Sequence, residues 1–227
     1  MDVLSEVQLK AINIKDGPAM IIAGPGSGKT KVIASRITNL INNHNIDPSN
    51  ILAMTFTNKA AQEMRERCMS LTDASNLNIF TFHSLSAFLL RRYGLKIGIE
   101  QNFTIFDDSD QLRIIKKIFK DANKDPKKLP FKTSTLLNEI SYFKNENIHH
   151  TKVKDLDKYE EGGYAELISD FYKRYETELA NSNALDFDDL LLKTADLLKS
   201  SDEIRDMLDP KKKYLIADKF QGARAVT

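Results

Sequence analysis

Short apolar runs alternate with helical patterns over the first hundred residues of the chain. Runs of strand length occupy Ala19–Ala23, Ile51–Met54 and Asn78–Phe82, and such runs between turn residues favour buried strands. The segments between them carry apolar residues at the spacing of one helix face; after Gly28 these are Val32, Ile33, Ile37, Leu40 and Ile41. Strands that alternate with helices predict right-handed crossovers and a parallel sheet, so we expect an α/β fold.

The pattern becomes helical beyond Phe103. Helical spacing of apolar residues predicts four helices, which start at Asp107 and then span 133–144, 163–179 and 186–199. No strand is expected between Phe106 and Lys212, after which the apolar run Tyr214–Ala217 returns as a buried strand. We therefore predict a parallel-sheet lobe that an all-helical insertion interrupts, with domains at 1–103, 104–200 and 201–227.

Composition excludes several classes of protein. The 227 residues are 41% hydrophobic and 29% charged, which favours one large or two small folded domains over disorder. Cys68 is the only cysteine, so an intrachain disulfide and a cysteine-based zinc site are excluded and a reducing cytoplasm is expected. The first residues, Met1 to Ile12, are amphipathic and unlike a signal peptide, and no apolar run is long enough to span a membrane.

Charge is segregated along the chain although the net charge is only +1. Residues 111–132 hold eight Lys/Arg and two Asp, whereas residues 155–178 hold eight Asp/Glu and three Lys/Arg. Each run is a solvated helix face or, for the basic one, a surface for nucleic-acid phosphates. Arg36 and Arg65 are interpreted as surface charge, and the pair His149–His150 as polar loop residues without ligand partners.

A glycine-rich segment follows the first apolar run and precedes a helix. It reads Ala23, Gly24, Pro25, Gly26, Ser27, Gly28, Lys29 and Thr30. Backbone N–H groups of such a loop can surround a triphosphate, Lys29 can reach the β- and γ-phosphates, and the Thr30 hydroxyl can ligate Mg²⁺. Ala23 stands where the strict pattern has its first glycine, which is the mildest replacement. The segment predicts ATP or GTP binding; the alternative is a chance glycine-rich turn.

Motifs around this loop narrow the prediction. Residues 51–67 read ILAMTFTNKAAQEMRER, residues 81–85 read TFHSL, residues 4–8 read LSEVQ, and residues 185–191 read LDFDDLL. Their order and spacing resemble the signature motifs of superfamily 1 DNA helicases of the UvrD/PcrA/Rep type. The resemblance implies a RecA-like P-loop lobe with an inserted helical subdomain. It also implies ATP-driven translocation on single-stranded DNA, in the 3′ to 5′ direction, with unwinding at duplex junctions.

The resemblance assigns residues to the nucleotide. Gln8 would read adenine, since an amide offers a donor and an acceptor side by side. Lys31 stands where relatives carry an Arg that stacks on the adenine ring, a task for which Lys is poorer. Lys29 and Asp218 are the candidate catalytic residues, and Thr30 and Asp218 are the candidate Mg²⁺ ligands.

A second group of residues is assigned to DNA. Phe56, Thr57 and Asn58 leave a strand end and open a helix, where a ring can stack on a base and helix N–H groups can bind phosphate. Thr81 and His83 occupy the next strand exit and resemble the following DNA-contacting motif. Such contacts suit sequence-independent binding of a single strand.

The end of the chain departs from the family pattern. Lys219 stands where the family has a Glu that acts as general base, and residues 222–227 do not follow the pattern. The later motifs and the second lobe are absent from the sequence. We therefore expect an N-terminal part of a helicase that binds ATP without turning it over. The alternatives are a nonhydrolysing single-strand-binding or regulatory module, and an unrelated P-loop enzyme such as a small-molecule kinase.

Overall fold

The computed structural model describes residues 4–14, 17–24, 26–72, 76–122, 132–156, 164–208 and 214–218. Its described residues form two compact units. The first contains those within 4–85 and 202–218, and the second contains those within 86–201. The packing boundaries therefore lie near residues 85 and 202.

The helices and strands are numbered in chain order. The helices are α1 (Glu6–Asn13), α2 (Lys29–Asn42), α3 (Asn58–Met69), α4 (Phe82–Tyr93), α5 (Asp108–Asp121), α6 (Thr133–Asn145), α7 (Ala165–Asn181), α8 (Phe187–Ser200) and α9 (Asp202–Leu208). The strands are β1 (Ile51–Thr55), β2 (Asn78–Thr81), β3 (Thr104–Ile105), β4 (Ala184–Leu185) and β5 (Tyr214–Ala217). Short 3₁₀ helices occupy Pro48–Asn50, Gly94–Ile97 and His150–Asp155.

A parallel sheet organises the first unit. β1 lies in the centre, with β2 and β5 paired to it in parallel. The register aligns Thr55 with Thr81 and Met54 with Ala217, so the three strands end at one edge of the sheet. α2 and α3 pack against it through buried apolar residues, which include Ala34, Ile37, Leu40, Ile51, Ala53, Met64, Cys68 and Ile79. The predicted mixture of helices with a parallel sheet is confirmed.

The strand predicted at Ala19–Ala23 is absent. Residues 17–24 form no strand, and the side chains of Met20 and Ile22 are 85% and 90% exposed. Apolar composition predicts burial only where a neighbouring strand and a covering layer exist. Within the described part of the chain, no strand pairs with this run, which explains why its side chains face solvent.

Helices dominate the second unit, and the predicted α5 to α8 are confirmed. Their apolar faces share one core, which includes Ile115, Phe119, Leu136, Ile140, Phe143, Phe171 and Tyr172. The expectation of no strand between Phe106 and Lys212 is wrong, since β4 lies in this stretch and pairs in parallel with β3. Phe106 N donates to Leu185 O at 2.9 Å as part of this pairing. A two-residue strand is too short to produce a period in the sequence, and its partner lies far along the chain.

A charged cluster lies buried in the second unit. Lys144 Nζ donates to Asp186 Oδ2 at 2.7 Å and lies 2.8 Å from Asp189 Oδ1. Tyr175 donates its hydroxyl proton to Asp186 at 2.9 Å. Asp186 also caps α8 by accepting from Asp189 N. Burial raises the pKa of Asp189 to about 6 although Lys144 opposes this. The stretch at 185–191, one of the motifs that resemble the helicase signature, thus contributes Asp186 and Asp189 to a buried ion-pair cluster.

We expect Lys144→Met to destabilise the protein by about 3–5 kcal/mol, because it leaves two buried carboxylates without their cation. Denaturant unfolding near neutral pH measures this change. Lys152→Met is the matched control, since Lys152 pairs with Asp155 at an exposed position and such pairs contribute about 0–1 kcal/mol. Equal unfolding free energies for the two variants would contradict a structural role for the cluster.

Candidate functional site

The glycine-rich loop leads directly into the first turn of α2. Gly26 and Gly28 have φ of 73° and 80°, in the left-handed region that favours glycine. Gly28 is the N-cap of α2 and provides no side-chain cap. The first N–H groups of α2 thus lack a side-chain partner from the cap, and a helix N-terminus of this kind favours anions. Pro25 lies outside the described residues.

Lys29 folds back over the loop. Its ammonium donates to Ala23 O at 2.9 Å and to Gly24 O at 2.7 Å. Ser27 closes the loop from the other side by donating its hydroxyl proton to Gly24 O at 2.7 Å. The Lys29 ammonium is therefore held beside the loop by neutral carbonyls, and a phosphate oxygen would be a stronger acceptor for it. Thr30 and Lys31 follow in α2 and are half-buried.

Gln8 reaches the same loop from α1. Its Oε1 accepts from Ser5 N at 2.9 Å, and its Nε2 donates to Ser27 O at 3.0 Å. Ser5 and Gln8 form a capping box, which the Ser-x-x-Gln spacing could have predicted. A primary amide has two N–H donors and two acceptor lone pairs. One donor and one lone pair of Gln8 thus remain for adenine while both observed hydrogen bonds persist.

Two arginines that we interpreted as surface charge have structural partners. Arg36 donates to Ala11 O at 3.3 Å, to Ile12 O at 3.5 Å and to Ile14 O, where it satisfies the carbonyls at the end of α1. Burial lowers the pKa of Arg36. Arg65 donates to carbonyls of residues 77 and 79 at 3.1 and 2.7 Å. The surface interpretation is therefore wrong for both, because isolated arginines give no sequence signal of the carbonyls they meet.

An exposed aromatic side chain stands at the carboxyl end of β1. Phe56 is 57% exposed, so it is not a core residue. Thr57 accepts from Ala60 N at 3.1 Å and caps α3, and Asn58 is exposed in the first turn of that helix. The ring and the start of a helix therefore stand side by side at this strand exit.

The carboxyl end of β2 is more enclosed. Thr81 is buried, and its hydroxyl donates to Ser84 Oγ at 3.0 Å and accepts from Ser84 N at 3.1 Å. This exchange satisfies the start of α4, so a DNA contact by the Thr81 hydroxyl would compete with it. His83 lies half-buried in the first turn of α4.

The end of β5 carries a buried carboxylate. Asp218 is 3% exposed, and its N–H donates to Met54 O at 2.8 Å. No ion pair reaches Asp218 from the residues that the structure describes. Thr55 Oγ1, on the neighbouring strand, is buried and also lacks a hydrogen-bond partner among them. Buried carboxylates are normally paired or coordinate a metal, so this environment fits a Mg²⁺ ligand.

Comparison with known proteins identifies the family. Residues 4–226 match the family model for the UvrD/REP helicase N-terminal domain. The chain belongs to this family. It is 42% identical over 220 residues to the ATP-dependent DNA helicase PcrA of Bacillus subtilis strain 168, and 38% identical over 221 residues to PcrA of Leuconostoc citreum. The alignments cover 96% of this chain and 29% of each relative. The chain therefore spans less than a third of the length of these helicases.

Across the described ranges, every helix is too short or too polar to cross a bilayer.

We expect Lys29→Ala to lower the affinity for a nonhydrolysable ATP analogue by about 10- to 100-fold, because hydrogen bonds from charged groups contribute about 1.5–3 kcal/mol. Isothermal titration calorimetry with Mg²⁺ present measures the affinity, and circular dichroism checks the fold. Lys10→Ala is the control, since it removes an exposed cation from α1 in the same unit. Unchanged affinity in Lys29→Ala would contradict the assignment of the loop.

Proposed function

We propose that this chain is the first RecA-like lobe, with its inserted helical subdomain, of a cytoplasmic ATP-dependent DNA helicase. The domains would be the lobe at 1–103 and 201–227 and the insertion at 104–200. One observation carries the proposal: a single compact unit has both a glycine-rich loop that leads into a helix N-terminus and an exposed aromatic ring at a strand exit. The names of the relatives, each an ATP-dependent DNA helicase, support it.

The loop and its surroundings would hold ATP. Backbone N–H groups from residues 23–30 would bind the phosphates together with the Lys29 ammonium, while Gln8 and Lys31 would contact adenine. Thr30 and Asp218 would hold Mg²⁺, which when bound neutralises charge on the β- and γ-phosphates. The buried state of Asp218 supports this assignment because a divalent cation would supply the counter-charge.

The strand exits would hold single-stranded DNA. The Phe56 ring would stack on a base, and Thr57, Asn58 and the first turn of α3 would bind a neighbouring phosphate. His83 would extend this surface from the next exit, with Thr81 fixing the turn that carries it. Stacking accepts any base, which suits translocation along a strand, 3′ to 5′ in this family. The helical insertion would guide the DNA or meet the duplex junction.

Removal of the Phe56 ring tests the DNA surface. We expect Phe56→Ala to weaken binding of a fluorescent oligothymidine by about 1–3 kcal/mol, the contribution of one stacked base. Fluorescence anisotropy at one fixed salt concentration measures this, because affinity for DNA changes steeply with salt. Met69→Ala is a matched control, since Met69 is also 57% exposed but lies at the opposite end of α3 from the strand exit. Equal affinities for the two variants would place the DNA elsewhere.

We further propose that this polypeptide binds ATP without useful turnover. Lys219, which lies outside the described residues, replaces the family's general base, and loss of such a base costs about 10²–10⁴-fold in rate. The 227 residues align with 29% of each relative, and by the family resemblance an arginine finger, worth about 10³–10⁵-fold in related phosphoryl transfers, belongs to a second lobe outside the aligned part. Without the base or the arginine finger, hydrolysis would be slow.

Phosphate release in the presence of single-stranded DNA measures this turnover. We expect the rate of the unaltered chain to match the background set by Lys29→Ala. Lys219→Glu should not restore brisk hydrolysis, because it supplies the base but not the arginine finger. Rapid DNA-stimulated hydrolysis by the unaltered chain would disprove the proposal.

Lys219 favours a second candidate, a nonhydrolysing single-strand-binding or regulatory module. In that case DNA affinity would depend on salt but would be indifferent to ATP. A helicase lobe should instead bind DNA with an affinity that changes when the nucleotide is present. Membership of the helicase family argues against a small-molecule kinase.

A further inference from the structure

Three potential metal ligands meet in the second unit. One ligand atom from each of His149, His150 and Glu176 lies within 4.8 Å of the other two. The two imidazole rings are 4.0 Å apart between centroids, and His150 Nε2 lies 4.0 Å from Glu176 Oε2. Our interpretation that the histidine pair lacks ligand partners is therefore wrong. Glu176 is too distant in sequence to appear beside the pair in any local motif.

Packing against α7 holds His150 near Glu176. Ser169 donates its hydroxyl proton to His150 O at 2.9 Å, and the edge of the His150 ring meets Tyr172 with centroids 6.2 Å apart. Residues 169, 172 and 176 recur at helical spacing and share one face of α7. The backbone that carries the histidines is thus anchored on the helix that carries the carboxylate.

Thr151 holds the His149 ring in place. His149 Nδ1 accepts from Thr151 N at 3.4 Å and lies 2.9 Å from Thr151 Oγ1. Coordination through Nε2 would require the tautomer in which Nδ1 carries the proton, gives up the contact with Thr151 N and donates to the Thr151 hydroxyl. Ligating histidines commonly donate their second ring nitrogen in this way, which fixes the tautomer and the ring orientation.

We propose that His149, His150 and Glu176 form a binding site for a transition-metal ion of the Zn²⁺ class. Two imidazoles and a carboxylate are donors that such ions accept, whereas Mg²⁺ and Ca²⁺ prefer all-oxygen sites. Water would complete the coordination. The site is separate in chemistry from the proposed Mg²⁺ position at Thr30 and Asp218.

The distances require only a small rearrangement. Bonds of about 2.0–2.1 Å in a tetrahedral site place ligand atoms about 3.3 Å apart. Because the three ligand atoms lie within 4.8 Å of one another, no gap needs to close by more than about 1.5 Å. His149 is exposed and Glu176 is half-buried, so rotation of their side chains can close it. A bound ion would then cross-link the 3₁₀ segment at His150–Asp155 to α7.

Zinc titration of the untagged, chelator-treated chain tests the site. A chromogenic chelator as competitor gives the affinity for Zn²⁺, and thermal unfolding with and without Zn²⁺ gives the stabilisation. We expect the unaltered chain to bind one equivalent at this site and to unfold at a higher temperature with zinc. His150→Asn and Glu176→Gln should each lower the affinity at least tenfold and remove the zinc-dependent shift.

His44→Asn is the matched control, because His44 lies outside the cluster in the first unit. Cys68 does not compete for zinc, since it is buried and burial raises its thiol pKa to about 11. Should His150→Asn fail to fold, His149→Asn at the exposed position serves instead. No zinc binding by the unaltered chain, equal affinities in the cluster variants, or loss in His44→Asn would each overturn the proposal.

Discussion

Parallel pairing of β1 with β2 and β5 is the constraint on which the rest of the first unit depends. Because parallel strands end at the same edge of a sheet, the pairing brings Thr55, Thr81 and Asp218 to neighbouring strand ends. The chain must turn there. These turns carry the capping hydroxyls of Thr57 and Thr81 and the exposed Phe56 ring. Ligand sites at the carboxyl edge of α/β sheets follow from this geometry. The candidate DNA surface and the buried carboxylate are therefore consequences of one pairing pattern.

Polar side chains connect the glycine-rich loop to the remaining structure of this unit. Gln8 joins α1 to Ser27 in the loop, and Arg36 joins α2 to the other end of α1. α1 is thus bound at its first turn to the loop and at its last turn to the helix that the loop precedes. A change in loop conformation on phosphate binding would be transmitted to α1 through the Gln8 amide. Gln8, which we propose contacts adenine, would then also sense the phosphates.

Sequence patterns predicted the elements whose signals are local. Strand β1 and helices α5 to α8 follow from apolar runs, helical spacing and caps such as Asp107. The errors all involve partners distant in sequence. Ala19–Ala23 has the composition of a strand but no described partner, and β4 has too few residues to show a period. No sequence pattern near Arg36 or Glu176 reveals which groups these side chains contact in the structure. The glycine-rich loop was found because its chemistry requires a contiguous motif.

The motif at 185–191 shows why a family motif need not be a contact surface. Its Asp186 caps α8 and accepts from Lys144 and Tyr175, and Asp189 lies beside the same ammonium. Burial alone would lower the pKa of Lys144, but the two carboxylates raise it, so the ammonium stays charged. A buried cation held between two carboxylates fixes α6 against the start of α8. Substitution there would disturb packing of the second unit, and any effect on DNA binding would follow from that packing.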